Sequence, residues 1–180
     1  MLNAIEVILI YLVAQAALTD LSVRKIPNML VLSGLLLSLI LHLLGGQHWI
    51  QHWEHVVLWL AGASTGFFLF LPLYLLRGMA AGDVKLMAMV GAFAGPQLAL
   101  RIAVLSYLIG GAMALLMLLY SGRWRDSWRN LVQLCKPLCL RMLGMPLVLA
   151  PLEPGASVGN IPYGVAIALG TWSMVAWSHH

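Results

Sequence analysis

Long uncharged stretches, separated by short charged or polar segments, make up most of this chain. Two of them, Val56 to Leu76 and Gly155 to Ser178, each exceed 20 residues. A helix of that length can cross a hydrocarbon core about 30 Å thick. We therefore interpret these stretches as membrane spans.

Hydropathy between the charged residues predicts six helices. They cover Leu2 to Thr19, Met29 to Leu44, Val56 to Leu76, Val84 to Ala94, Gln97 to Tyr120 and Asn160 to Trp177. The fourth is short, and Gly95 and Pro96 separate it from the fifth, so it crosses only if it begins before Asp83 or if its surroundings allow it. We expect an all-α, polytopic membrane protein with about six transmembrane helices in a single domain, residues 1–180.

Composition supports a membrane protein. The chain is 62% hydrophobic and only 9% charged, whereas an ordinary soluble domain has about 25% charged residues. Met1 to Thr19 lacks the charged start and the small-residue cleavage site of a removable signal peptide, so we interpret it as the first span. The two cysteines, Cys135 and Cys139, are too few for a zinc cage.

The basic residues predict the orientation, because Lys and Arg near the ends of spans are retained in the cytoplasm. With six spans, nine of the ten Lys and Arg residues fall on one side, and only Arg101 falls on the other. Both termini and the Gly45 to His55 loop are then expected outside, and residues 24–28, 77–85 and 121–154 inside. The nine inside are Arg24, Lys25, Arg77, Lys85, Arg123, Arg125, Arg129, Lys136 and Arg141.

The longest polar stretch, Ser121 to Met142, combines basic residues with tryptophans and leucines at helical spacing. This pattern favours a cytoplasmic amphipathic segment that lies on anionic lipids. A solvated loop with interfacial tryptophans is the alternative. The net charge of +4 has the same source, so we expect no nucleic-acid partner.

Two acidic residues, Asp20 and Asp83, occur at the predicted cytoplasmic ends of spans. A carboxylate there is costly when buried, which favours a functional role. A structural role is the alternative, because Asp20 could pair with Arg24 and Asp83 could pair with Lys85 or cap a helix in its first turn. Two carboxylates in a site of low dielectric share one proton, so one can take a proton from water while the other polarises a carbonyl. The 63 positions between them do not show that they meet, although the topology permits it.

Three segments of the chain resemble the motifs of one protein family. They are Asp20 followed by Arg24-Lys25-Ile26-Pro27-Asn28, then Ala81-Gly82-Asp83-Val84-Lys85-Leu86-Met87-Ala88, then Ile161-Pro162-Tyr163-Gly164-Val165-Ala166-Ile167-Ala168. Together they resemble the type IV prepilin peptidases, membrane-embedded aspartic proteases. The short length and the third segment are most similar to the small members that serve Flp-type, tight-adherence pili.

The resemblance implies an aspartic endopeptidase of the bacterial inner membrane, with its active site at the cytoplasmic face. It would remove the basic leader from prepilin and pseudopilin precursors, with Asp20 and Asp83 as the catalytic pair. The pilus assembly machinery would be an indirect partner, and no metal or other cofactor is implied. Residues expected to bind substrate or shape the site are Pro27, Asn28, Ala80, Gly82, Lys85, Pro162, Tyr163 and Gly164.

Two departures from the family pattern bear on activity. The second family motif is Gly-x-Gly-Asp, but Ala80 replaces its first glycine. If that glycine adopts a positive φ, alanine at the position costs conformational energy. If the position needs only a small side chain, alanine can replace the glycine. Larger members carry an N-terminal, cysteine-rich part and methylate the new pilin N-terminus. Asp20 lies too near the start for that part, so we expect cleavage without N-methyltransferase activity.

Several alternatives compete with a peptidase. The two aspartates could relay protons or pair with cations in a small transporter or a non-enzymatic pilus-assembly subunit, and an inactive family relative is a further alternative. A presenilin-like protease is disfavoured because Thr19 precedes Asp20, where those enzymes have a tyrosine. His48, His52 and His55 have spacing that could hold zinc, but interfacial histidines in a short loop are the commoner case.

Overall fold

The computed structural model describes residues 3–44, 49–76, 78–121 and 162–179. These residues form five α-helices and no strand, which confirms the all-α fold. The helices are α1 (Ala4–Val23), α2 (Asn28–Leu44), α3 (Trp49–Leu75), α4 (Ala81–Ser121) and α5 (Tyr163–Trp177).

The number of helices differs from the six predicted, because α4 contains both the fourth and the fifth predicted helix. Gly95 interrupts it with φ 75° and ψ 170°, and the helix resumes at once without a loop. Pro96 is tolerated directly after this break, because a proline at the start of a helical segment lacks only an N–H that would have no partner there. The break predicted at Gly95 and Pro96 is therefore present, and the two segments follow each other directly.

Three described helical stretches are long and apolar enough to cross a membrane: Ala4–Val23, Trp53–Leu75 and Ala81–Met117. The apolar helices α2 and α5 are shorter than these spans. By length and composition the described chain thus has fewer spans than six, although its membrane character is clear. Large hydrophobic side chains such as Leu18, Met29 and Phe68 are exposed, as expected where lipid surrounds the protein.

The chain divides into two units. The first comprises Met1–Gly110 with Pro162–His180, and the second comprises Gly111–Ile161. Of the second, the structure describes only the end of α4, so the amphipathic segment predicted over residues 121–142 lies, apart from Ser121, outside the described residues. The site described below belongs to the first unit.

Helices α1 and α5 pack against each other in antiparallel orientation. At one end, the Gly164 N–H donates to the Asp20 carboxylate. At the other end, Nε2 of His179 lies 2.9 Å from Oε2 of Glu6. Both ends of this pair are thus fixed by polar contacts, and Asn3 and His179 lie at the end remote from Asp20.

The first half of α4 is the most deeply buried part of the fold. Its side chains Leu86, Met87, Met89 and Val90 are fully buried. Helix α3 crosses it at glycines, where the backbones of Gly62 and Gly91 approach so closely that neither residue has room for a Cβ. Small residues at helix crossings are typical of membrane proteins. This packing holds the helix that begins beside Asp83.

Candidate active site

Asp20 lies in the last turn of α1, and only 8% of the residue is exposed. Its Oδ2 accepts a hydrogen bond from the Gly164 N–H at 2.8 Å. Helix α1 ends just beyond it, because Arg24 adopts a left-handed conformation with φ 54°. A non-glycine residue there costs about 1–2 kcal/mol. The turn directs the chain towards α2 and leaves Asp20 at the helix end.

Asp83 lies in the first turn of α4, as the sequence suggested, and is 4% exposed. Its Oδ2 accepts the Ala80 N–H at 3.1 Å, and its own N–H donates to the Ala80 carbonyl at 3.1 Å. An acidic side chain that reaches back to the residue before the helix satisfies an N–H that the helix leaves unpaired. The same position favours negative charge through the helix dipole.

The two carboxylates lie at the same end of the helix bundle, because Ile26, in the turn after Asp20, packs on Gly82, next to Asp83. In each, Oδ2 is bonded to a backbone N–H from the start of a helix. Sidedness predicted that Asp20 and Asp83 lie on the same face, and the fold places both at one end of the bundle.

The start of α5 forms a third side of this site. Pro162 precedes the helix, and its carbonyl accepts the Val165 N–H at 3.1 Å. Tyr163 packs on Gly110 of α4. Gly164 contacts Asp20 directly. The third family-like segment, which the resemblance implied as part of the site, thus lies beside Asp20.

Two contacts link the segments that carry the aspartates. Lys85 Nζ donates to Asn28 Oδ1 at 3.1 Å, at an exposed position. Ile26 packs on Gly82, where an added Cβ would lie 3.3 Å from the Ile26 Cβ. Pro27 directly precedes α2, and its carbonyl accepts the Leu30 N–H at 3.1 Å. The turn after Asp20 and the start of α4 are therefore joined beside the site.

Ala80 requires no special backbone conformation.

 Among the described residues other than glycine, only Arg24 has a positive φ, so Ala80 is not in the left-handed region. Its backbone N–H and carbonyl both bond to Asp83, and its side chain is exposed. Alanine at this position is therefore compatible with the local structure.

The histidines give no metal site within the described residues, where no group of three or more His, Cys, Asp and Glu side chains could hold an ion. His48 lies outside those residues, as does the side chain of His52. His55 instead makes an edge contact with His42, with ring centroids 6.4 Å apart.

Comparison with known proteins identifies the family. A family model described as the type IV leader peptidase family matches residues 7–115, which include both Asp20 and Asp83. No curated protein and no solved structure matches the chain. The match covers more than half of the 180 residues. The chain therefore belongs to the type IV leader peptidase family, which indicates a membrane peptidase whose substrates are prepilins.

Proposed function

We propose that this protein is an aspartic endopeptidase in which Asp20 and Asp83 hydrolyse the peptide bond after a prepilin leader. The observation that carries the proposal is the pair itself: two buried carboxylates at the same end of the bundle. Both lie within the residues that match the family. Burying two like charges at helix termini costs free energy. A catalytic role accounts for that cost.

The chemistry follows from the two carboxylates sharing one proton. The ionised member takes a proton from a water molecule, whose oxygen attacks the scissile carbonyl carbon. The protonated member donates its proton to the carbonyl oxygen as the tetrahedral intermediate forms. Collapse of the intermediate then returns a proton to the leaving amine and breaks the C–N bond. No metal is needed for these steps.

The substrates we propose are Flp-type prepilins and pseudopilins, cleaved at the cytoplasmic face of the bacterial inner membrane. The similarity of the Ile161 to Ala168 segment to the small family members supports this substrate class. Arg24, Lys25 and Lys85 are exposed near the aspartates, and basic residues at this end support a cytoplasmic site. Anionic lipids and the pilus assembly machinery are proposed as further partners.

Separate Asp20→Asn and Asp83→Asn variants test the catalytic pair. Each would be co-expressed with a tagged Flp-type prepilin in a bacterial host that does not process it, and the mature pilin measured by immunoblot. Each substitution should abolish cleavage at an unchanged level of membrane-inserted protein. Glu6→Gln is the matched control, because Glu6 lies at the remote end of α1, and it should cleave normally. Normal processing by either Asn variant would contradict the proposal.

Cleavage without methylation is a separate part of the proposal. Purified protein, incubated with prepilin and a methyl donor, should yield mature pilin whose N-terminus has the mass of the unmodified residue. Mass spectrometry of the product decides this point. A methylated product would contradict this part of the proposal and leave the peptidase assignment unaffected.

A further inference from the structure

The first turn of α5 lies directly against the Asp20 side chain. The Gly164 nitrogen is 2.8 Å from Asp20 Oδ2. A Cβ added at Gly164 would lie 2.8 Å from that oxygen, 2.9 Å from the Asp20 Cβ and 3.1 Å from its Cγ. Gly164 is itself buried. The contact therefore requires glycine, because any side chain would occupy the volume of the carboxylate.

Other contacts hold α5 independently of Asp20. Tyr163 packs on Gly110, where an added Cβ would lie 2.8 Å from the tyrosine ring. Two turns further on, Gly170 packs on Ser106 of α4. Since α4 also carries Asp83, the position of α5 is defined relative to the second carboxylate. The Gly164 N–H is thus a fixed donor against which Asp20 is held.

We propose that Gly164 is a positioning residue for Asp20: its N–H holds Oδ2, so that Oδ1 is presented towards Asp83 and the attacking water. The N–H lies at the start of a helix, where backbone donors are unpaired and favour an anion. Helix α5 lies outside residues 7–115, which match the family. The proposal makes α5 a required part of the active site. This inference rests on the proposed aspartic peptidase function.

Gly164→Ala tests this role, with Gly170→Ala as its matched control. Both substitutions add a methyl group where α5 packs closely on another helix. A Cβ at Gly170 would lie 2.5 Å from Ser106 Oγ, as a Cβ at Gly164 would lie 2.8 Å from Asp20 Oδ2. Cleavage of a fluorescently tagged Flp-type prepilin would be measured with purified protein in lipid nanodiscs. Gly164→Ala should lower kcat at least about tenfold with KM changed less than about threefold, because displaced catalytic groups lose rate rather than binding. Gly170→Ala should lower the thermal midpoint of unfolding and retain kcat within about threefold.

Equal losses of kcat in the two variants would overturn the inference, as would an unchanged kcat in Gly164→Ala. If Gly164→Ala does not fold, the hydrogen bond can be tested at the other partner. Asp20→Asn retains an acceptor for the Gly164 N–H, whereas Asp20→Leu leaves that buried donor unpaired. The Leu variant should therefore unfold at a lower temperature than the Asn variant, and equal midpoints would overturn the inference. Normal processing by Asp20→Asn would instead refute the proposed function.

Discussion

Three glycines of α4 should respond differently to replacement by alanine, because each has a different environment. A Cβ at Gly91 would overlap the Gly62 carbonyl oxygen and lie 2.9 Å from its carbonyl carbon. Gly95 has open space around it, but its φ of 75° is one that side chains rarely adopt. Gly111 has open space and no positive φ. Steric overlap therefore opposes alanine at Gly91, and the backbone conformation opposes it at Gly95. Neither opposes alanine at Gly111.

The expected free energies of unfolding follow from these differences. At Gly91 the obstacle is the backbone of α3, which cannot rotate away, so the two helices must separate at a cost of about 1–3 kcal/mol. Gly95→Ala keeps the packing but forces alanine into a conformation essentially restricted to glycine, also at about 1–3 kcal/mol. Gly111→Ala should stabilise the protein by about 0.5–1 kcal/mol, because alanine loses less conformational entropy in a helix.

Equilibrium unfolding of the purified variants in one detergent or lipid mixture measures these effects. Prepilin cleavage, measured on the same samples, tests their connection to the site. Gly91 lies eight residues beyond Asp83, or about 12 Å along the helix, so separation of the crossing should also displace the Asp83 carboxylate, for which we propose a catalytic role. Gly91→Ala should therefore lose both stability and cleavage.

Gly111→Ala is the internal control, since it is the same substitution in the same helix. If Gly91→Ala were as stable as Gly111→Ala, the close backbone crossing of α3 and α4 would be refuted. If Gly95→Ala were neutral, the left-handed break in α4 would be refuted, because an ordinary helical residue gains from this substitution. Each result thus tests a different feature of the fold.

Two further predictions concern the segments beside the aspartates. Ala80→Gly, which restores the family motif, should not raise the cleavage rate by more than about twofold, because alanine there is not in a strained conformation; a large gain in rate would contradict this. The exposed hydrogen bond between Lys85 and Asn28 should contribute no more than about 1 kcal/mol. A double-mutant cycle of Lys85→Met and Asn28→Ala, followed by thermal unfolding, measures that coupling, and a value several times larger would contradict the surface assignment.

The helices were predictable from the sequence because apolar runs between charges are long and well separated. The break between the fourth and fifth predicted helices was also predictable, but its shortness was not. It depends on Gly95, whose positive φ lets one helix stop and another begin without a loop. The dipeptide Gly95-Pro96 predicts a break in the helix, but it does not predict how many residues the break contains.

The aspartates were also predictable, because carboxylates are rare and costly in so apolar a chain. Their third partner was not predictable from spacing. Gly164 and Asp20 are 144 residues apart, and a glycine near a helix start has many ordinary roles. Only the packing of α1 against α5 reveals that this glycine leaves room for the carboxylate.

The structural and catalytic interpretations of the aspartates describe the same arrangement. Neither α4 nor α5 begins with a side chain suited to capping, since Ala80 precedes one and Pro162 precedes the other. Asp83 bonds to the N–H just before its own helix, and Asp20 bonds to an N–H in the first turn of α5. Helix starts thus provide the donors that water would otherwise provide to two buried carboxylates.

This arrangement explains how the carboxylates can be buried and still chemically available. One oxygen of each is bound to the backbone, which offsets part of the cost of removing it from water. Asparagine retains an acceptor oxygen for that bond but cannot exchange the proton that hydrolysis requires. A folded Asn variant without cleavage therefore separates the two roles: the helix start keeps its partner, and the reaction loses its acid or its base.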